Sequence, residues 1–195
     1  MEAVIYFDLS PIIAIVIFAL IMVSYFLFHI TIGRNNINGK NSLFFALFVV
    51  YLIVLIRVVF FPMIFTDVQT KGLLSQSLQL IPFKSIKEFV MAFKWGQILG
   101  NIALLFPIPI FVGLLREKFP RLSSTLFLGI LVSLSIELIQ LSITYFTHTL
   151  DRVTDIDDLI LNIIGVVIGW YVIKRFITNK RVKVLGKEEK GKMSI

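Results

Sequence analysis

The residues able to do chemistry are gathered between Glu137 and Gly169, ELIQLSITYFTHTLDRVTDIDDLILNIIGVVIG. Glu137 and Gln140 are three apart and share a helix face. Asp155, Asp158 and Asn162, followed by Gly165 and Gly169, step by three and four residues. They form one stripe if a helix starts among the aspartates. Arg152 and Asp157 stand beside them, and Arg57 and Asn101 are the polar residues of two other apolar stretches. A Glu137–Asp158 carboxylate pair suits general acid–base chemistry. Arg57 suits an anionic group, or an ion pair with Glu137. Asn101, Gln140, Arg152, Asp155 and Asn162 are candidates for holding and orienting a substrate. Asp155, Asp157 and Asp158 offer oxygen ligands for a divalent cation, although their spacing matches no specific metal motif. The competing reading is that these groups glue helices together, that the aspartates favour a helix N-terminus, and that Gly165 and Gly169 form a packing seam.

The weight of that question comes from the surroundings. The chain has 195 residues, 57% of them hydrophobic and 16% charged. Its mean hydropathy is +0.92. Soluble domains average about 45–50% apolar and about 25% charged, so this is a membrane chain. An ionised residue at the centre of a membrane helix costs roughly 2.5–3.5 kcal/mol on insertion scales, so such residues usually serve a function. Cysteine is absent, which excludes disulfides, thiolate catalysis and Cys-ligated metals. His29 and His148 are the only imidazoles and do not make a histidine metal site. No cofactor is expected. The net charge of +7 points to anionic lipid headgroups, not to nucleic acid.

The fold expected is an all-α membrane protein, a bundle of about five transmembrane helices with a short interfacial amphipathic helix. Apolar runs place spans at about 10–32, 42–65, 97–115, 122–147 and 158–176 within a membrane domain 1–177. The first is read as a retained span, since no basic n-region or cleavage site precedes it. After Pro82, Phe83, Ile86, Val90 and Phe93 recur at helical spacing with lysines elsewhere around the turn, which predicts the amphipathic helix. Pro107 and Pro109 are expected to kink or break the third span. Residues 178–195 form a basic cytoplasmic tail, expected as a disordered or surface-bound extension.

Basic residues at 33–41, 116–121 and in the tail all fall on one side of five spans, which makes that side the cytoplasm. The N-terminus and the loop 148–158 are then outside, as is the lysine-bearing loop 66–97. Arg57, Asn101, Glu137, Gln140 and the aspartates come to similar depth near the outer face. Arg57 and Glu137 lie equally far into their spans, counted from Ser42 and Leu122, which predicts an ion pair between them.

These residues resemble the VanZ-like membrane protein family. The resemblance is carried by Arg57 with Phe61–Pro62, by LIPF at Leu80–Phe83, and by GNIALLFPIP at Gly100–Pro109. It continues through Glu137 and Gln140 to Arg152, Asp155, Asp158, Asn162, Gly165 and Gly169. It covers about residues 50–175. Gln79 stands where the family has Asn ahead of its Pro-Phe, and Pro109 where the family tends to have Gly. The resemblance implies a multi-pass protein of the bacterial cell envelope, associated with lowered susceptibility to teicoplanin-type glycopeptides. An outward polar cluster would act on a lipid-linked or cell-wall precursor. The alternatives are a small non-enzymatic transporter or lipid- or antibiotic-binding module, and a structural partner protein. Membrane lipids are the expected surroundings.

Overall fold

The computed structural model describes residues 4–31, 39–66, 73–116, 121–149 and 152–192. Its elements run β1 (Val4–Phe7), α1 (Pro11–Thr31), α2 (Gly39–Phe60), β2 (Met63–Thr66), α3 (Leu73–Gln76), β3 (Leu78–Gln79), α4 (Lys84–Met91), α5 (Trp95–Leu105), α6 (Pro107–Arg116), α7 (Leu122–Thr147), β4 (Thr154–Asp155) and α8 (Ile156–Lys192). Among the described residues five helical stretches are long and apolar enough to cross a membrane: Pro11–Thr31, Gly39–Phe60, Trp95–Leu115, Leu122–Thr147 and Ile156–Thr178. The protein is thus an all-α membrane protein with two minor two-stranded sheets. Its contacts group into two units, Met1–Lys87 with Leu134–Leu159, and Glu88–Ser133 with Ile160–Ile195.

In the first unit, Ser10 and Pro11 start α1. The Ser10 hydroxyl accepts the Ile13 N–H at 3.3 Å, and proline fills the first helical position, where no N–H is needed. The second span was expected to continue to 65, but α2 stops at Phe60. Pro62 explains the stop, because it disfavours helical backbone at Phe61 and brings no N–H to extend the ladder. The chain turns extended instead, and β2 pairs antiparallel with β1, from Val4 opposite Thr66 to Phe7 opposite Met63. The Phe7 and Phe61 rings pack 5.7 Å apart. A second, parallel pairing joins Leu78 to Thr154 and Gln79 to Asp155. At the end of α7, His148 takes φ 58°, the left-handed turn common after a helix.

The second unit contains α5, α6, most of α8 and the first half of α7. Regular helix is interrupted at Phe106, because neither Pro107 nor Pro109 can donate back to the preceding turn. Phe106 itself stays helical, φ −51° and ψ −40°, so Trp95–Leu115 continues as one span. Against this span α8 presents Gly165 and Gly169. A Cβ on Gly165 would come within 2.0 Å of the Ile102 carbonyl oxygen, and one on Gly169 within 2.1 Å of the Phe106 oxygen. Backbone oxygens cannot rotate away as side chains can. The missing side chains therefore set the helix separation, the device small residues serve in membranes. The core here includes Leu105, Ile108, Leu161, Val166, Trp170 and Ile173. The helical backbone of α8 continues through the basic tail to Lys192.

Gly165→Ala and Gly169→Ala are each expected to cost about 3 kcal/mol, the upper end for overpacking, and to lower folded yield in detergent. Gly96→Ala and Gly100→Ala, where an added Cβ meets nothing within 4 Å, should melt like the parent in a thermal unfolding assay.

Candidate functional site

The polar groups of the first unit converge where the second half of α7 meets the start of α8 and the segment between α2 and α4. Asp155 sits just before α8 and caps it, its Oδ1 accepting the Asp157 N–H at 2.9 Å. The Asp155 N–H in turn donates to Glu137 Oε2 at 3.1 Å. The Thr154 hydroxyl donates to the Glu137 carbonyl at 3.2 Å, and the Thr154 N–H to the Ser77 carbonyl at 2.8 Å. Glu137 thereby ties the middle of α7 to the β3–β4 pair. It is 5% exposed, and electrostatic repulsion from Asp158 and Asp155 reaches its carboxylate. Its second oxygen, Oε1, has no hydrogen-bond partner among the described residues.

Asp157 works across the unit. Its Oδ1 accepts the Phe83 N–H at 2.6 Å and its Oδ2 the Ile86 N–H at 3.0 Å, closing the N-terminus of α4. Phe83 has φ 65°, costly for a residue with a side chain, and the Asp157 carboxylate holds it there. Gln79 locks the approach. Its amide donates to the Ile81 carbonyl at 2.7 Å and to Asp155 Oδ1 at 3.5 Å, while its Oε1 accepts the Ile81 N–H at 3.0 Å.

The remaining groups also serve backbone. Gln140 donates to the Val59 carbonyl at 3.2 Å, which the end of α2 leaves without a helical donor. Arg152 Nη2 donates to the Phe61 carbonyl at 3.0 Å, and Thr149 to the Ile64 carbonyl at 3.3 Å. Thr144, itself buried, donates to the Arg152 carbonyl at 3.1 Å.

The structure thus gathers Glu137, Gln140, Arg152, Asp155 and Asp157, with Asp158 half-buried in the first turn of α8. Asn101 and Asn162 belong to the second unit. There Asn162, 1% exposed, donates to Ser133 Oγ at 3.0 Å, while its Oδ1 is buried without a partner among the described residues. The expected Arg57–Glu137 ion pair is not made. Arg57 instead meets Asp8, Nη2 to Oδ2 at 3.6 Å, with the side chains 47% and 48% exposed. The β1–β2 pairing is the cause, because it brings the residue after β1 to the last turn of α2. An exposed pair of this kind contributes about 1 kcal/mol or less. No three acidic or histidine groups among the described residues are placed to hold a metal ion. Each oxygen of Asp157 accepts one N–H donor.

Sequence reasoning gave no role to Asp8, Thr144 or Thr154, and marked Gln79 only as an amide standing where the family has Asn. The only signals were the short VIYFD run before the first span and the amide ahead of Ile81–Pro82.

A family model described as VanZ/LLP1 matches residues 48–178, which includes every residue of this cluster. No curated protein and no solved structure matches the chain.

Asp157→Ala is expected to cost about 2–3 kcal/mol, because two N–H groups lose a charged acceptor. Hydrogen exchange in 83–91 should accelerate at least tenfold while α7 stays protected. Asp157→Asn, which keeps one acceptor oxygen, should fall between.

Proposed function

The chain belongs to the VanZ-like family, and from that premise we propose that it lowers susceptibility to teicoplanin-type glycopeptides by acting on a lipid-linked or cell-wall precursor at the outer face of the bacterial cell membrane. One observation carries the reading. Glu137 is a buried carboxylate at membrane depth with Oε2 fixed by the Asp155 N–H and Oε1 left without a partner among the described residues. A carboxylate kept in such a place is expensive as structure alone and suits a group that accepts or delivers a proton. In this reading Asp155 fixes the orientation of Glu137, Asp158 is the second acid, and Arg57 draws an anionic group toward the membrane surface. Gln140 and Arg152 hold the ends of α2 and β2 around the site.

A second reading has its own support. Gln140, Arg152 and Asp157 spend their hydrogen bonds on backbone groups, as befits a rigid non-enzymatic module that binds lipid or antibiotic. Glu137→Gln separates the two, since the amide oxygen still accepts the Asp155 N–H. Loss of general acid–base catalysis removes about 10²–10⁴-fold in rate. Glu137→Gln at unchanged membrane abundance should therefore reduce teicoplanin tolerance to that of cells lacking the protein. Full tolerance in that variant would leave the binding module as the better account.

The orientation proposed with this function has the N-terminus and the 148–158 loop outside and the C-terminus in the cytoplasm, from the basic residues flanking the spans. The chain has no cysteine, so one added at exposed Val153 is the only thiol. A membrane-impermeant maleimide should label Val153→Cys in intact cells. Labelling only after lysis would reverse the orientation and remove the site from the face where glycopeptides act.

A further inference from the structure

The α1–α2 hairpin lies mostly ahead of the matched family stretch. No residue of α1 is buried. The two helices meet at Tyr25, whose ring stacks on Phe45 at 4.4 Å and 19°, and whose hydroxyl is 3.4 Å from Ser42 Oγ. Beside this contact runs an open groove of about 430 Å³, lined by Leu20, Ile21, Ser24, Tyr25, Phe28 and Phe45. Small-molecule sites span roughly 300–1,000 Å³.

The hairpin end beside the groove is polar. His29, whose ring is 4.6 Å from that of Tyr25, has a buried Nδ1, and Asn41, next to Ser42, a buried Oδ1, each without a hydrogen-bond partner among the described residues. Such atoms mark this end as polar within a surface that is otherwise apolar, where hydrocarbon supplies no hydrogen bonds. Lys40 and the N-terminal turn of α2 carry positive charge at the same end.

We propose that this groove binds one anionic phospholipid of the surrounding bilayer. An acyl chain lies along Leu20, Ile21, Phe28 and Phe45. The phosphate sits at Lys40 and the start of α2, at the hairpin end that also carries His29 and Asn41. Basic pockets between membrane helices take phosphate headgroups in this way. The α1 helix of a second copy fits less well, because Pro11–Thr31 carries no acid to meet Lys40.

The test uses full-length protein in neutral detergent, titrated with phosphatidylglycerol or phosphatidylcholine and read by native mass spectrometry. One phosphatidylglycerol should be retained at concentrations where phosphatidylcholine is not. Lys40→Gln, a surface change that does not threaten folding, should weaken retention about five- to tenfold. Ile21→Trp, which fills the groove, should abolish it, and Leu131→Trp on exposed α7 surface should leave it unchanged. Equal retention of the two lipids, or full retention by Lys40→Gln, would overturn the proposal. So would a dimer that dissociates in Ile21→Trp while lipid stays bound.

Discussion

A membrane protein can leave its helices only where something else receives the backbone hydrogen bonds, and here that constraint governs the first unit. Between Phe60 and Lys84 the described residues form short strands, the one-turn helix α3 and irregular backbone. Their polar atoms cannot be left bare near hydrocarbon. Gln140 and Arg152 take the carbonyls of Val59 and Phe61, Thr149 that of Ile64, and Asp157 the N–H groups of Phe83 and Ile86. The donors and acceptors come from α7, α8 and the segment joining them. Glu137, through the Asp155 N–H, holds that segment to the middle of α7. Without this tie, the side chains on either side of it would lose their aim.

The second unit solves a different problem with different residues. Prolines 107 and 109 remove donors from a spanning helix, and glycines on α8 bring another backbone against the same helix. The contacts at Ile102 and Phe106 occur on either side of Leu105, which is fully buried. Dispersion and close approach hold this unit, since in lipid there is no hydrophobic drive between helices. Within its core the Asn162 amide donates to the Ser133 hydroxyl.

Hydropathy announced the helices because membrane depth demands long apolar runs. The amphipathic turn after Pro82 and the interruption at the two prolines were equally plain, since each follows from local covalent geometry or periodicity. The identity of the polar cluster was legible too: Glu137, Gln140, Arg152 and Asp155 are found together. Their partners were not. Gln140, Arg152 and Asp157 bond to main-chain atoms, and a carbonyl has no residue type by which a sequence could reveal it. The Arg57 pairing failed for a related reason. Equal depth in two spans fixes height but not direction, and the direction is set by four-residue strands pairing across the sequence distance from Val4 to Thr66. Such short strands carry almost no pattern of their own.

The cap on α4 also imposes an order on how this molecule is made. Asp157 is synthesised long after Phe83 and Ile86, on the far side of two later spans. While the ribosome is still producing α5 to α7, the start of α4 has no acceptor for those N–H groups and Phe83 has nothing to hold its left-handed turn. The segment must wait at the water interface, where solvent can serve it, until the last span enters the bilayer. Insertion of α8 is therefore the step that completes the earlier half of the protein. A nascent chain cut short before Asp157 has its first four spans but lacks the part that draws the intervening segment into place.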